Sequence, residues 1–495
     1  METTVTNNLM TISEKPSAKE VLKNKPFMVL FAAQFIENIG RAISGLAVEF
    51  LIFELTGSPL LMGVLAIVWL LPFVIIAPLA GVYTDRFDQR KIMFYSNIVS
   101  FIASVGFVVV YLLKELLTIE VIATIIEGGK TNIIHSINYI HVLWPLYILC
   151  FLNSAAAAFF FPARSAYTRL IVKKKNLLVA NSIGSTVFQI ATIVGFLLAG
   201  FMAARSYLLS FIFDASTFLV SGILIGLIFF ISKKPPKVEL EKSQNFKEEL
   251  KGVVKDIAIG YRTIREYPKI SYMLLIFSMI TFSFGAVNVL FIVILQGEMG
   301  LGQTWYGIMQ AIMGGSGIIM ALVLMSFGKI RRKILVLNIS YIAATIGMFL
   351  FSVIRNKWVM TVIMFSFGLV IVCINVPAST LIQETIPYEK QGRVFGTQQL
   401  VQGIAQLLGM GIVSMIAEYV LPMYVLLASS VLLALVSIFG FIYSGKRRLM
   451  SSDYPDEEIE TSEKYSEEVK ASKVDSSLGA NISFSALETE SLEKK

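Results

Sequence analysis

Apolar stretches long enough to form membrane-spanning helices alternate along the chain with short polar connections. Twelve such stretches can be distinguished, six on each side of a polar segment at 232–269. The first six cover residues 27–55, 60–82, 92–113, 143–161, 177–203 and 207–231. The second six cover residues 270–295, 305–327, 334–354, 358–382, 394–418 and 421–443. Because a helix needs about 20 apolar residues to cross a bilayer, the pattern predicts an all-α membrane protein with twelve transmembrane helices.

The same pattern divides the chain into five parts. They are an N-terminal segment (1–26), a six-helix half (27–231), a linker (232–269), a second six-helix half (270–444) and a tail (445–495). In the linker, apolar residues recur at helical spacing: Leu250, Val253, Val254 and Ile257. This spacing predicts an amphipathic helix on the membrane surface or a solvated linker helix. The tail is rich in Ser, Glu and Lys and is predicted to be disordered.

The two halves resemble each other in sequence. "FPARSAYTRLI" at the end of the fourth stretch aligns with "VPASTLIQETI" at the end of the tenth. After a two-residue shift in the following loop, two polar stripes also align. They are Asn181, Ser185 and Gln189 in the first half and Gln398, Gln402 and Gln406 in the second. An internal repeat of this kind predicts two pseudo-symmetric bundles around a shared cavity. Gln189, Gln402 and Gln406 are candidates to line that cavity, although amides also join helices inside membranes.

Composition supports a membrane protein and excludes several other classes. The 495 residues are 56% hydrophobic and 15% charged, whereas soluble domains carry about 25% charged residues. Both cysteines, Cys150 and Cys373, lie in apolar stretches, so neither a disulfide framework nor a thiolate metal site is predicted. The net charge of +8 comes from basic residues scattered among the connections, a distribution that does not fit nucleic-acid binding.

The scattered basic residues predict the orientation in the membrane. The connections after the second, fourth, eighth and tenth stretches hold about 13 of them, and the opposite connections hold about five. Since connections rich in Lys and Arg stay in the cytoplasm, we expect a multi-pass protein of the cell membrane with both termini cytoplasmic.

One connection carries an unusually dense charge cluster, "GVYTDRFDQRK" at 81–91, which we call the charged loop. Its Gly81, Asp85, Arg86 and Arg90 resemble the signature loop of the major facilitator superfamily. Asp88 and Gln89 stand where that signature has its second glycine and its first paired basic residue. With "FFPARSA", "ANSIGS" and "FIFDASTFLVS", the chain resembles the branch of macrolide-efflux pumps and siderophore exporters.

This resemblance implies a role for the charged loop as a conformational latch, a contact that joins the two halves at one end and breaks in every transport cycle. A carboxylate is stabilised at the positive N-terminal end of a helix, and the resemblance identifies that helix as the eleventh. Asp85 would make the contact in the outward-facing state, with Arg86 and Arg90 holding the loop. The alternative is that the cluster serves only to orient the protein in the membrane.

Charged side chains inside the predicted helices are the other candidates for function, because such groups are costly in a bilayer and usually face a cavity or a partner. In the first stretch Gln34, Asn38, Arg41, Gly45 and Glu49 share one helical face. Glu37 lies beside this face and can pair with Arg41 at i, i+4. Asp214 is the single charge of the sixth stretch. Glu37 and Asp214 are candidate proton or cation-substrate sites; alternatively, they are a structural ion pair and a hydroxyl-bound carboxyl group.

These observations favour a secondary active transporter. "EGGKT" at 127–131 does not complete a phosphate-binding loop, because Thr124 occupies the position of the required glycine. We therefore expect an ion gradient, most simply of protons, to drive efflux of amphipathic drugs, antibiotics or secondary metabolites by a monomer. No enzymatic activity, cofactor or metal is predicted. Siderophore export, lysolipid export and uptake by the same fold remain open, and a non-transporting sensor or scaffold is a distant alternative.

Overall fold

The computed structural model describes residues 17–127, 130–232, 246–327, 330–447 and 449–450. The N-terminal half contains α1 (Ala18–Leu22), α2 (Lys25–Thr56), α3 (Pro59–Arg86), α4 (Gln89–Leu112), α5 (Lys114–Leu117), α6 (Ile140–Ile171), α7 (Leu177–Arg205) and α8 (Tyr207–Ile231). After the linker helix α9 (Phe246–Glu266), the C-terminal half contains α10 (Pro268–Ile292), α11 (Gln303–Phe327), α12 (Lys333–Val353), α13 (Lys357–Thr385), α14 (Tyr388–Ala417) and α15 (Pro422–Lys446). Within the described residues, eleven helices are long and apolar enough to cross a membrane. Together with the long but more polar α2, they confirm the predicted twelve-helix fold.

Polar residues in the short connections begin and end the long helices. Asn24 caps α2 by accepting a hydrogen bond from the Phe27 amide at 3.2 Å. Gly57 ends the same helix in the left-handed conformation, at φ 61°, which glycine adopts at little cost. Ser58 then caps α3 through the Leu61 amide at 3.3 Å. These caps allow two long helices to follow each other with almost no loop.

A β-hairpin between α5 and α6 departs from the all-α prediction. β1 (Ile119–Glu127) pairs antiparallel with β2 (Lys130–Asn138), from Ile119 opposite Asn138 to Glu127 opposite Lys130. The segment is rich in isoleucine, which favours strands. We use the hairpin to name the two ends of the molecule. The hairpin end carries β1 and β2, and the basic end carries the α3–α4, α6–α7, α11–α12 and α13–α14 connections.

The helices pack into two bundles that meet along two seams. In the N-terminal half α2 packs on α7 and α8, and α4 packs on α6 and α8. In the C-terminal half α10 packs on α14, α11 on α13, and α12 on α13 and α15. Between the halves, α7 contacts α11 and α3 contacts α14. The space enclosed by these two seams is the predicted shared cavity.

The α3–α14 seam is closed at the hairpin end and open at the basic end. Near the hairpin end Gly63 of α3 lies directly against Ser414 of α14. Midway, a Cβ atom on Gly403 would lie only 2.8 Å from Val74. Toward the basic end, a Cβ atom on Gly81 or Gly392 would meet no described atom within 4 Å. From this difference in packing we infer that the structure represents the conformation whose cavity opens toward the basic end.

The short helix α1 is tied to the connection between α6 and α7. The Glu20 carboxylate accepts hydrogen bonds from Lys173 Nζ at 2.6 Å and Asn176 Nδ2 at 2.8 Å. The hydrogen bond from Lys173, followed by those from Asn176 and Lys175, lowers the pKa of Glu20 to about 2. The chain before α2 is thus attached to the basic end of the N-terminal half.

The linker forms the predicted helix, and this helix packs on the C-terminal half. Arg393 Nε of α14 forms an ion pair with Asp256 Oδ1 of α9 at 2.8 Å, and Thr397 Oγ1 donates to the Ile257 carbonyl at 3.3 Å. Gly260 and Ile264 of α9 are buried. Contact with α14 was not predicted from the linker sequence. Residues 233–245 and the predicted disordered tail from 451 onward lie outside the described part of the chain.

Candidate functional site

A cavity of about 520 Å³ lies between the two halves, with walls from eight helices. Seven aromatic residues line it: Trp69, Phe73, Phe107, Phe161, Phe188, Phe196 and Tyr306. Its polar lining includes Asn38, Arg41, Glu49, Asn153, Gln310 and Gln406. A large apolar wall with a few convergent polar groups is typical of sites for small organic molecules.

The α2 face predicted from the sequence forms one wall of this cavity. Asn38, Arg41, Gly45 and Glu49 all line it. Gln34, the first member of the predicted face, is buried behind the wall and accepts a hydrogen bond from Arg164 Nη1 at 3.2 Å. Gln34 therefore joins α2 to α6, and it is absent from the described cavity lining.

Glu37 and Arg41 form the ion pair that their spacing predicted. Arg41 Nη2 lies 2.5 Å from Glu37 Oε1, and Ser221 of α8 donates to Glu37 Oε2 at 3.3 Å. The Glu37 side chain is 5% exposed, whereas the Arg41 side chain is 26% exposed and reaches the cavity. Only the basic member of the pair is thus presented to a cavity occupant.

Asp214 lies behind the cavity wall, in the packing between α8 and its neighbours. It is fully buried, and its Oδ2 accepts a hydrogen bond from Ser104 of α4 at 2.6 Å. A Cβ atom on Gly40 of α2 would lie 2.9 Å from Asp214 Oδ1. Asp214 does not belong to the described cavity lining, and its predicted role as a proton or cation-substrate site stays a prediction. Its contacts match the alternative, a carboxyl group bound by a hydroxyl.

Glu49 is the acidic side chain among the described cavity-lining residues. The Tyr306 hydroxyl of α11 donates to Glu49 Oε2 at 3.1 Å, and Gln310 Nε2 donates to that hydroxyl at 3.3 Å. Tyr306 is buried between Phe50 and Phe291, with ring centroids 5.4 and 4.8 Å away. Sequence reasoning placed Glu49 on the correct helical face but ranked it behind Glu37 and Asp214 as a candidate site. Its partner on the other half carried no sequence signal.

Further contacts between the halves close the hairpin end. Glu418, at the end of α14, accepts hydrogen bonds from Ser58 Oγ at 2.6 Å and the Leu60 amide at 3.1 Å. The carboxylate thus lies at the N-terminus of α3, where a negative charge is stabilised. Gln303 of α11 donates to Tyr207 of α8 at 2.8 Å. All of these contacts must break if the cavity is to open at this end.

Of the three glutamines predicted to line the cavity, the structure places Gln406 there. Gln189 Nε2 instead donates to the Gly314 carbonyl of α11 at 3.3 Å, so its amide joins two helices. Gln402 lies one turn closer to the basic end on α14, and it is not part of the described lining. For Gln189 and Gln402 the cavity-lining role therefore stays a prediction.

The described contacts of Arg90 and Asp88 hold the charged loop to its own half. Arg90 is buried, contacts both oxygens of Asp88 at 2.8 and 3.1 Å, and donates to the Ser232 carbonyl at the end of α8 at 3.1 Å. Partial burial opposes the charge of Asp88, but the hydrogen bonds from Arg90 outweigh it and lower the pKa of that carboxyl group. Arg86 is exposed, and the Asp85 side chain lies outside the described residues. With the basic end open, the latch expected of Asp85 stays a prediction.

Replacing Arg90 with alanine is expected to destabilise the N-terminal half by about 3 kcal/mol, because removing one member of a buried ion pair leaves the other uncompensated. Lys91→Ala is the matched control, since Lys91 is the exposed neighbour of Arg90. Thermal unfolding of the purified protein in detergent measures the difference. Equal midpoints for the two variants would contradict this role of Arg90.

Comparisons with known proteins agree with the fold. The sequence model of the Major Facilitator Superfamily matches residues 30–410. The MFS-type transporter YfiS of Bacillus subtilis is 25% identical over 452 residues, covering 88% of this chain and 97% of the relative. Macrolide efflux protein A of Streptococcus pyogenes is 22% identical over 417 residues, covering 83% and 94%.

Solved structures show the same architecture. A bacterial homologue of the iron transporter ferroportin, in an inward-facing state, superposes with a TM-score of 0.62 at 14% identity, covering 84% of this chain and 98% of that one. A POT family transporter gives a TM-score of 0.64 at 11% identity, covering 85% and 96%. Identities this low establish the fold alone. Together with the family match over most of its length, the fold shows that this chain belongs to the major facilitator superfamily of membrane transporters.

Proposed function

We propose that the protein exports amphipathic small molecules from the cytoplasm in exchange for protons. The observation that carries this proposal is the cavity itself, which is enclosed between the two halves, lined by aromatic rings and supplied with Arg41 and Glu49. A volume of about 520 Å³ suits a drug-sized molecule, since pockets for such ligands measure roughly 300–1,000 Å³. Aromatic walls offer a large apolar contact area to such a molecule.

The orientation follows from the basic residues and supports export. We place the basic end in the cytoplasm, because membrane proteins retain Lys- and Arg-rich connections on that side. The conformation described here then takes up substrate from the cytoplasm or from the inner leaflet. Macrolide efflux protein A, by its name, exports a large amphipathic molecule, and its similarity covers most of both chains. This relation supports an amphipathic substrate.

Flux measurements in inverted membrane vesicles test the proposal. Vesicles containing the protein are given a panel of dye-like organic cations and one macrolide, with an imposed pH gradient and again after a protonophore has abolished it. We expect uptake that requires both the protein and the gradient. If uptake follows an imposed Na⁺ gradient instead, the coupling ion is Na⁺ and not the proton. The absence of gradient-dependent flux for every compound would contradict export of amphipathic molecules.

A further inference from the structure

Three acidic side chains lie in or beside the cavity region, and their surroundings differ. Glu37 is paired with a cation, Arg41, at 2.5 Å. Asp214 is fully buried against Ser104, behind the cavity wall. Glu49 lines the cavity, and its hydrogen-bond donor is the neutral hydroxyl of Tyr306. Among the described residues no Lys, Arg or His forms an ion pair with Glu49. Glu49 is therefore the acidic group that an occupant of the cavity can reach and neutralise.

The hydrogen bond of Glu49 also joins the two halves. Glu49 belongs to α2 and Tyr306 to α11, and 257 positions separate them. Their contact lies in the region where α7 and α11 meet closely. Gly200 of α7 leaves no room for a side chain there, because a Cβ atom would lie only 2.8 Å from the Gln303 carbonyl of α11. Opening the hairpin end moves α11 away from the N-terminal half, so Tyr306 must leave Glu49. The Glu49–Tyr306 hydrogen bond can therefore form only while the hairpin end is closed, and one of its two partners faces the cavity.

The strength of this bond depends on the charge of Glu49. A hydroxyl that donates to a carboxylate makes a charge-assisted hydrogen bond, which is about twice as strong as one between neutral groups. The other titratable or charged groups among the described cavity-lining residues are Arg41, Cys150 and Tyr306. Arg41 lies eight residues from Glu49 on α2, or about 12 Å along the helix axis. It is itself bound to Glu37.

We propose that the Glu49–Tyr306 hydrogen bond is an interlock that keeps the empty cavity closed at the hairpin end. The interlock opens when Glu49 is neutralised, either by a proton or by the cationic nitrogen of an amphipathic substrate. Building on the proposed export function, the inference assigns the coupling site to Glu49, in place of Glu37 or Asp214. An ionised, empty protein then remains open only toward the basic end, which prevents leakage of protons without substrate. The proton and the cation occupy the same carboxylate in turn, so they exchange one for one.

The test measures from which side the cavity can be reached. Asn288, which lines the cavity and is exposed, is replaced by cysteine after Cys150 and Cys373 have been changed to serine. A membrane-impermeant thiol reagent is then added from the hairpin side at several pH values. Because the thiolate is the form that reacts, each rate is divided by the rate of the same reagent with a free thiol at that pH. We expect this corrected rate to be low at high pH and to rise as the pH falls. In Glu49→Gln, the corrected rate at high pH should be roughly tenfold higher and independent of pH, the size expected from losing a hydrogen bond to a charged group.

Two further variants make the test decisive. Tyr306→Phe removes the donor but keeps the carboxylate, so it should accelerate labelling at high pH to a similar extent. Glu115→Gln neutralises an exposed acid of α5 and should label like the parent protein. If Glu49→Gln and Tyr306→Phe both keep the parent's rate and pH dependence, the interlock does not exist. If the parent transports no compound but Glu49→Gln still abolishes the pH dependence, the interlock stands and the proposed cargo is wrong.

Discussion

A leucine at Gly307 is expected to reduce transport about tenfold or more while both halves remain folded. Gly307 of α11 packs directly on the backbone of α7, and a Cβ atom there would contact the Phe196 carbonyl and lie 2.9 Å from the Gly200 Cα atom. Overpacking costs about 1–3 kcal/mol, and about 1.4 kcal/mol changes an equilibrium tenfold. The strain exists only while the hairpin end is closed, so leucine should shift the protein toward opening at that end.

Vesicle flux and thiol labelling from the hairpin side measure the effect of Gly307→Leu. Gly315→Leu is the matched control on the same helix, because a Cβ atom on Gly315 would meet no atom of the described residues within 4 Å. The control should keep most of its flux and label slowly. Slow labelling of Gly307→Leu, at normal abundance and with normal flux, would show that α7 and α11 separate too little for alternating access through this seam.

The second large effect concerns the Glu37–Arg41 pair and is expected to be asymmetric. The Glu37 side chain is 5% exposed and that of Arg41 is 26% exposed. Arg41→Gln leaves a carboxylate in the packed interior and should destabilise the protein by about 3–5 kcal/mol. Glu37→Gln leaves a guanidinium that still reaches the cavity and should destabilise it less. The double variant should regain most of the stability lost in Arg41→Gln, because no charge is then unpaired.

A double-mutant cycle on thermal stability in detergent measures this asymmetry. Arg169→Gln serves as the control, since Arg169 is exposed at the basic end of α6. Equal losses in the two single variants would mean that water reaches both groups alike. If the loss of stability in the double variant equals the sum of the two single losses, Glu37 and Arg41 do not stabilise the protein through their interaction.

Local sequence pattern was sufficient for most of the helices. The sixth apolar stretch was predicted at 207–231, and α8 spans Tyr207–Ile231. By contrast, the eleventh stretch was predicted from residue 394, yet α14 already begins at Tyr388. The additional turn is polar, and α9 packs beside it through Asp256 and Arg393. Hydropathy identifies where a helix is apolar, but it does not detect a polar turn that another helix stabilises.

By itself, the sequence determined the superfamily fold, the two halves, the α2 face and the Glu37–Arg41 pair. Each of these depends on residues that are close in sequence or on a repeated pattern. Only the tertiary structure decided that Glu49 lines the cavity and meets Tyr306, that Asp214 is enclosed among helices, and that Gln189 joins α7 to α11. These outcomes depend on the rotation of each helix against its neighbours, which packing across the whole bundle sets and helical periodicity alone does not specify.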